Sequence, residues 1–243
     1  MRIGVLGTGT IATAVVHGIA GDGHQIVVSE RSVANTSLLA AVYDEVSVAG
    51  NQAVLDQSDV VFLGLMAEVA EVMLPRLSFR EDQRVISFMA GASKSEAAAL
   101  VAPATLEAVV MPFPGIAEGG SPVLALGDAE LLEEIFGARN TVYAVQSEAE
   151  LAAYLSAQAV LSPVARMVET AGNWLAAREA VPGVGEAFLR HLVASNLQGT
   201  PSAELIEALN TEGGYNQRLR LHMEEGGMVQ DLQGGMDALE RGE

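Results

Sequence analysis

Cysteine is absent from the 243 residues, and Lys94, in "GASKSEAAAL", is the single lysine. The first absence excludes disulfides, thiolate metal sites and cysteine nucleophiles. The second leaves Schiff-base chemistry only Lys94, which opens an Ala-rich helical stretch and reads as a solvated surface residue. Histidine is scarce as well. His17, His24, His191 and His222 lie far apart, without the i, i+4 spacing of a zinc helix, so they read as surface or cap residues and no metal is expected. Basic charge is short: 13 Lys and Arg face 31 Asp and Glu, a net charge of −18. Such a surface repels phosphate backbones and anionic lipid, which argues against nucleic acid as a partner. The longest pure apolar runs, such as "VVFLGLMA", are far shorter than the roughly 20 residues of a membrane span. The first turn signal comes within a few residues of Met1, with no leader-like stretch before it. These absences together predict a soluble, cytoplasmic protein without a membrane partner.

What is present is apolar: half of the residues are hydrophobic, enough for one large core or two smaller ones. The first part alternates. "RIGVL", "QIVVS", "DVVFLGLM", "RVISFMAG", "LEAVVMPFP", "SPVLALGD" and "NTVYAV" read as strands, with helical stretches between most of them and a short "EVSV" after the second helix. Ser32 is a plausible cap for the second helix. Continuous apolar strands alternating with helices predict a parallel sheet covered on both faces. From about Glu148 the character changes. "SEAELAAYLSAQAVLSPVARMVETAGNWLAARE" reads as one long helical stretch that Pro163 should kink or break, and only helical segments follow. The expected organisation is an α/β dinucleotide-binding domain over residues 1–147 and an all-α domain over 148–243.

The chemistry begins at "RIGVLGTGTIATAV". Gly7-Thr8-Gly9-Thr10-Ile11-Ala12 is G-x-G-x-x-A, and it follows a strand, opens a helix and heads a β-α-β unit. Gly7 suits the tight turn, Gly9 lets backbone approach a pyrophosphate, and Ala12 permits close helix–strand packing. The second strand ends in "VVSERS". A carboxylate there suits the ribose hydroxyls of NAD, and a basic residue suits the 2′-phosphate of NADP. Glu30 and Arg31 stand side by side; Ser29, Arg31 and Ser32 can surround a phosphate, so NADP(H) is favoured over NAD(H). In "VVMPFPGIAEGG", Pro112 and Pro114 bracket Phe113 at a strand end, where a rigid turn can wall a nicotinamide pocket or simply end the strand. Late in the chain, "ALNTEGGYNQRLR" breaks a helical region with Gly213 and Gly214 and then resumes helix at Tyr215.

In that order, "GVLGTGTIATAVVHGI", "SDVVFLGLMAEVAEVML", "VISFMAG", "VVMPFP" and "NTEGGYN" resemble the pyrroline-5-carboxylate reductases. The resemblance spans nearly the whole chain and is looser in the helical half. It implies a Rossmann domain followed by an all-α dimerisation domain, and NAD(P)H-dependent reduction of a cyclic imine acid to proline in a homodimer or dimer-based oligomer. Carried onto this sequence, it places the cofactor on Gly7, Thr8, Gly9, Thr10, Ile11, Ser29, Arg31, Ser32, Leu65, Met66, Ala90 and Gly91. It places the substrate on Met111, Pro112, Phe113, Gly213 and Gly214, with the loop before Tyr215 holding the substrate carboxylate. Tyr215 and Asn216 are the catalytic candidates, Tyr215 as a proton donor.

The departures from the family pattern concentrate on substrate. Phe113 stands for an asparagine, Met66-Ala67 for Lys-Pro, Glu212 for proline and Tyr215-Asn216 for two threonines, while "AVLSPVA" keeps Ser162-Pro163 without the glycines. A relative acting on a different or larger imine is therefore a second reading, and a non-catalytic NADP-binding sensor a third. A β-hydroxyacid dehydrogenase would need a lysine on the long interdomain helix, and "VETAGNWLAARE" has none. A deazaflavin-dependent NADP reductase lacks a comparable helical domain.

Overall fold

The computed structural model describes residues 1–89, 91–178 and 183–243. The chain divides into two compact units, Met1–Leu151 and Ala152–Glu243.

The first unit is built on eight strands: β1 (Arg2–Leu6), β2 (Gln25–Ser29), β3 (Val46–Ala49), β4 (Val60–Leu63), β5 (Arg84–Ser87), β6 (Thr105–Pro112), β7 (Pro122–Gly127) and β8 (Thr141–Val145). They form one sheet in the order β3-β2-β1-β4-β5-β6-β7-β8. The six helices of this part are α1 (Thr10–Ile19), α2 (Val33–Val42), α3 (Asn51–Asp56), α4 (Ala67–Met73), α5 (Lys94–Val101) and α6 (Ala129–Phe136). The seven segments read as strands from their apolar runs are strands, and the short unassigned "EVSV" contributes the eighth, β3. The all-parallel expectation needs one correction: β6 and β7 are antiparallel, with Val110 opposite Ala125. A short 3₁₀ turn, Pro114–Ala117, reverses the chain between them, whereas a parallel return would need a full crossover.

Alternation decides which helices cover which face. Ile3, Val5, Val28, Phe62, Ile86, Val110 and Val123 join a core with Val15 and Val16 of α1, Leu39 of α2 and Leu132 and Phe136 of α6. Val61, Leu63, Val85 and Val109 have the opposite parity and are also buried, on the side of α3, α4 and α5. Full burial of a side chain such as Phe62 contributes about 1.5–3 kcal/mol, and stacking on Phe136 at 6.1 Å adds to it. Ser32 does precede α2, but its side chain does not cap; its carbonyl accepts from the amide of Thr36 instead.

The second unit is helical. After α7 (Glu148–Ala157), which runs from the first unit into the second, come α8 (Leu161–Ala176), α9 (Val184–Gly199), α10 (Ser202–Ala208), α11 (Tyr215–Glu225) and α12 (Met228–Glu240). The break expected at Pro163 lies just before it, as a 3₁₀ turn over Gln158–Val160. Proline is tolerated in the first turn of α8, where its missing N–H has no intrahelical partner, and its ring disfavours continuous α-helix in the preceding turn. Glu179, at the end of the expected stretch, lies outside the described residues. α8 packs on α9, where Gly172 lets Glu186 come within 3.0 Å of where a Cβ would stand. Within 148–176, an 18-residue window reaches a mean hydropathy of 1.2, which makes the stretch long and apolar enough to cross a membrane by length and composition. The reading from pure apolar runs missed this, because the helix is interrupted by Glu148, Glu150, Arg166 and Glu169.

Candidate functional site

Strand order places the first candidate site. β1 lies between β2 and β4, so the chain leaves β1 in one direction and returns on the other side of it. The crevice beyond the carboxyl ends of β1 and β4 is where open α/β sheets take ligands. Gly7 ends β1 there with φ +88°, a backbone conformation that side chains rarely adopt. A Cβ on Gly7 would stand 2.5 Å from the carbonyl oxygen of Gly64, and one on Gly64 would meet the Ala12 Cβ at 2.5 Å. Gly7, Ala12 and Gly64 therefore fix how closely β1, α1 and β4 approach. Gly64 was not among the sequence candidates, although a glycine inside the apolar run "VVFLGLM" signals close backbone approach.

The turn itself is held from below. The Gly7 amide donates to the Ser29 hydroxyl at 2.8 Å, and Ser29 is buried. The Asn35 side-chain amide donates to the Thr8 carbonyl at 2.6 Å, and the Thr13 hydroxyl donates to the same carbonyl at 3.2 Å. Ser29 therefore supports the turn and does not face an open phosphate site beside Arg31 and Ser32, which are at the surface or half-buried. The Thr8 hydroxyl is buried and finds no partner among the described residues.

Above this support, Gly9 and Thr10 are exposed and Ile11 is half-buried. Gly9 precedes α1 without a side-chain cap, and the first turn of α1 carries no acidic residue. The amides of Thr10, Ile11 and Ala12 have no intrahelical partner, and the helix dipole adds positive potential. A Cβ on Gly9 would meet nothing within 4 Å, so the space in front of the turn is open to a ligand. These features fit a dinucleotide pyrophosphate.

The remaining candidates of this unit stand along the same strand ends. Leu65 is buried, and Met66, beyond β4, is 69% exposed. Gly91 is exposed beyond β5, and Ala90 lies outside the described residues. Pro112 is buried at the end of β6, with Met111 and Phe113 half-buried beside it. Beyond β2, β3 and β4 lies a cleft of about 480 Å³ lined by Arg31, Asn51, Arg76 and the apolar face of α4. Asn51 and Arg76 were not sequence candidates; nothing in their local pattern announces a cleft.

The second candidate site belongs to the helical unit. Gly213 has φ +71°, and Gly214 immediately precedes α11. The sequence reading gave these two glycines an anion-binding role through free amides. Their amides are engaged: Gly213 donates to Gln217 Oε1 at 2.8 Å and Gly214 to the Thr211 carbonyl at 2.9 Å. The open amides are those of Tyr215, Asn216 and Gln217, the first turn of α11. Asn210 pins the loop, accepting from Gln217 Nε2 at 3.2 Å and from Arg220 Nη2 at 2.9 Å. Asn216 is exposed, and Tyr215 is 91% exposed with its hydroxyl unengaged among the described residues. No group of three or more metal-ligating side chains occurs among the described residues.

A mostly parallel sheet with a topological switch and a glycine turn, followed by a helical unit, defines a Rossmann-type two-unit protein. Residues 2–91 match the family described as NADP oxidoreductase, coenzyme F420-dependent. No curated protein is similar in sequence at a significant level. Among solved structures, 1-pyrroline-5-carboxylate reductase from Streptococcus pyogenes is similar at a TM-score of 0.82 and 22% identity, over 99% of this chain and 97% of that one. Pyrroline carboxylate reductase from Plasmodium falciparum, with NADP bound, gives 0.83 and 13%, over 99% and 96%. A reductive aminase from Aspergillus terreus, with NADPH4, cyclohexanone and allyl amine, gives 0.61 and 15%, over 99% and 92%. The chain thus has the pyrroline-5-carboxylate reductase fold from end to end.

Proposed function

We propose that the chain is a divergent member of the pyrroline-5-carboxylate reductase family, an NAD(P)H-dependent oxidoreductase that reduces the C=N bond of a cyclic imine. The observation that carries this reading is the Gly7–Ile11 turn. It is braced by Ser29 and Asn35, presents open helix amides and stands at the topological switch of a chain with that fold throughout. A bound nicotinamide would supply hydride to the imine carbon. The chain's own part is to grip the pyrophosphate at α1, to receive the adenosine end beside Arg31, and to hold the reacting carbon in a dry pocket. A protonated imine is already electrophilic, which suits a chain without cysteine and with one lysine. Arg31 favours NADPH.

The substrate loop of this reading is Thr211–Gln217. Its open amides suit a carboxylate, and the Tyr215 hydroxyl is free to donate a proton to the product nitrogen. The proline-forming substrate, 1-pyrroline-5-carboxylate, is the first candidate. Met66 and Phe113, apolar where the resembled family is polar, support the second reading, a larger and less polar imine.

Assembly belongs to the same proposal. Between α8 and α12 runs an apolar groove of about 740 Å³, lined by Val160, Pro163, Met167, Leu232, Met236 and Leu239. Trp174, Phe188 and Leu219 are also exposed on this unit. A second copy of the chain would cover such a surface in an isologous dimer of a cytoplasmic protein, bringing the Tyr215 loop of one subunit to the cofactor cleft of the other.

The test is NADPH consumption with 1-pyrroline-5-carboxylate and with a panel of neutral cyclic imines, alongside light scattering without detergent. Turnover of the carboxylated imine supports the first reading, and turnover of neutral imines alone supports the second. NADPH binding with no turnover on the panel would leave a sensor, and a monodisperse active monomer would sink the dimer.

A further inference from the structure

The cleft beyond β2, β3 and β4 holds two cations, Arg31 and Arg76. Arg31 enters from the end of β2 and Arg76 from the 3₁₀ turn Leu74–Arg76 that follows α4, and both line the same space of about 480 Å³. Neither guanidinium has an ion-pair or hydrogen-bond partner among the described residues. Seven other arginines, Arg2, Arg80, Arg84, Arg166, Arg190, Arg220 and Arg241, sit in ion pairs. Glu68 is the one acidic residue on the cleft wall, so the cleft carries a local excess of positive charge in a molecule of net charge −18. Two unpaired arginines lining one cleft can both donate charge-assisted hydrogen bonds to an anion placed there.

The rest of the wall describes that anion's other half. Val69, Val72 and Leu77 present an apolar strip, and Val72 is 58% exposed, a hydrophobic side chain without cover. A strip of this kind suits the face of a flat heterocycle. A pyrophosphate at Gly9 and Thr10 would stand at the end of β1, and β2 and β3 are the next strands outward, so an adenosine extended from that turn would reach toward this cleft.

We infer that Arg76 is a specificity-determining residue for the adenosine 2′-phosphate, gripping it together with Arg31 while the base lies along the Val69–Val72–Leu77 strip. The inference rests on the NADP(H) reading and adds to it a second cation, about 45 residues beyond the first, from an element that sequence patterns do not associate with the phosphate. A phosphate monoester offers three acceptor oxygens, enough for two guanidinium forks. Loss of either arginine should weaken the phosphate, and loss of neither should alter binding of a nucleotide that lacks it.

Calorimetric titration of the full chain with adenosine 2′,5′-bisphosphate and adenosine 5′-monophosphate, and then with NADPH and NADH, tests this without turnover. Arg76→Ala should lose about tenfold or more in affinity for the bisphosphate and for NADPH, the scale of a charge-assisted hydrogen bond. The monophosphate and NADH should change by less than about twofold, and Arg76→Lys, which keeps the charge but not the fork, should recover only part of the loss. Arg76 is exposed, so unfolding midpoints of the unliganded variants should match the parent. If Arg31→Ala alone abolishes the preference and Arg76→Ala binds the bisphosphate like the parent, the NADP(H) reading stands and this inference falls. Equal losses on both nucleotides would also overturn it, by making Arg76 a wall of the cleft. A parent that binds NADPH no better than NADH would remove the NADP(H) preference and this inference together.

Discussion

The Gly7 amide and the Ser29 hydroxyl, 2.8 Å apart, join the end of β1 to the end of β2 directly beneath the glycine turn. Ser29 is 1% exposed, so water cannot replace its hydroxyl if it is lost. Ser29→Ala should cost about 1–3 kcal/mol, the penalty for leaving a buried donor unsatisfied. Because the turn is then less firmly held, KM for NADPH should rise while kcat at saturating cofactor changes little. Urea unfolding and initial rates check the two halves, and unchanged stability would show that the bond contributes nothing.

Gly9 and Gly64 should respond in opposite ways. A Cβ on Gly9 has nothing within 4 Å, so Gly9→Val should fold with near-parental stability yet lose dinucleotide binding, since its branches would occupy the pyrophosphate approach. A Cβ on Gly64 stands 2.5 Å from the Ala12 Cβ and 2.6 Å from the Gly7 carbonyl, so Gly64→Ala should lower the unfolding midpoint through strain of about 1–3 kcal/mol. Thermal melts with and without NADPH separate the cases. A Gly9→Val protein that still gains stability from NADPH would place the site elsewhere.

The helical loop yields a paired test. Tyr215→Phe removes only an exposed hydroxyl, so stability should be unaffected and any fall in kcat reports proton donation, with about 10²-fold expected for a general acid. Gly214→Val would bring a Cβ within 3.0 Å of the Thr211 carbonyl and shift the first turn of α11. It should raise KM for a carboxylated imine while leaving NADPH affinity alone. Equal effects on neutral and carboxylated imines would count against a carboxylate at those amides.

His24 predicts a pH dependence of stability. Burial, and after it the Met1 ammonium, holds its imidazole below the ordinary value of 6.5, against Asp22 and Glu134. The folded state therefore favours the neutral ring. As pH falls below 6.5 the unfolded chain takes up this proton first, so stability is retained above that value and declines below it until the folded-state ring also protonates. Urea melts between about pH 8 and pH 5 should show a shallower decline for His24→Gln than for the parent. Identical slopes would show that His24 does not carry the effect.

Seven of the eight strands, the glycine turn and the change to helix near Glu148 were legible because each is a local property: apolar runs set by burial on two faces, and a turn set by φ and close approach. The sequence also placed the helix start at Tyr215, since paired glycines interrupt helix wherever they occur. What it could not supply were consequences of pairing and distance. The antiparallel step between β6 and β7 depends on which strand Pro122–Gly127 meets, and both directions bury the same apolar residues. Ser29 looked like a phosphate ligand by position, and only the fold turned its hydroxyl under Gly7. Gly213 and Gly214 looked like free donors until the loop closed on Thr211 and Gln217. Arg76 and Asn51 line one cleft because the end of α4 and the turn after it pack beside the start of α3, where Asn51 meets Met73 and Gln52 accepts from the Ser78 amide. Local chemistry is written residue by residue and can be read that way. Which donors remain open, and which cations share a space, is decided by contacts between segments far apart in the chain, and these exist only once the sheet has ordered its strands.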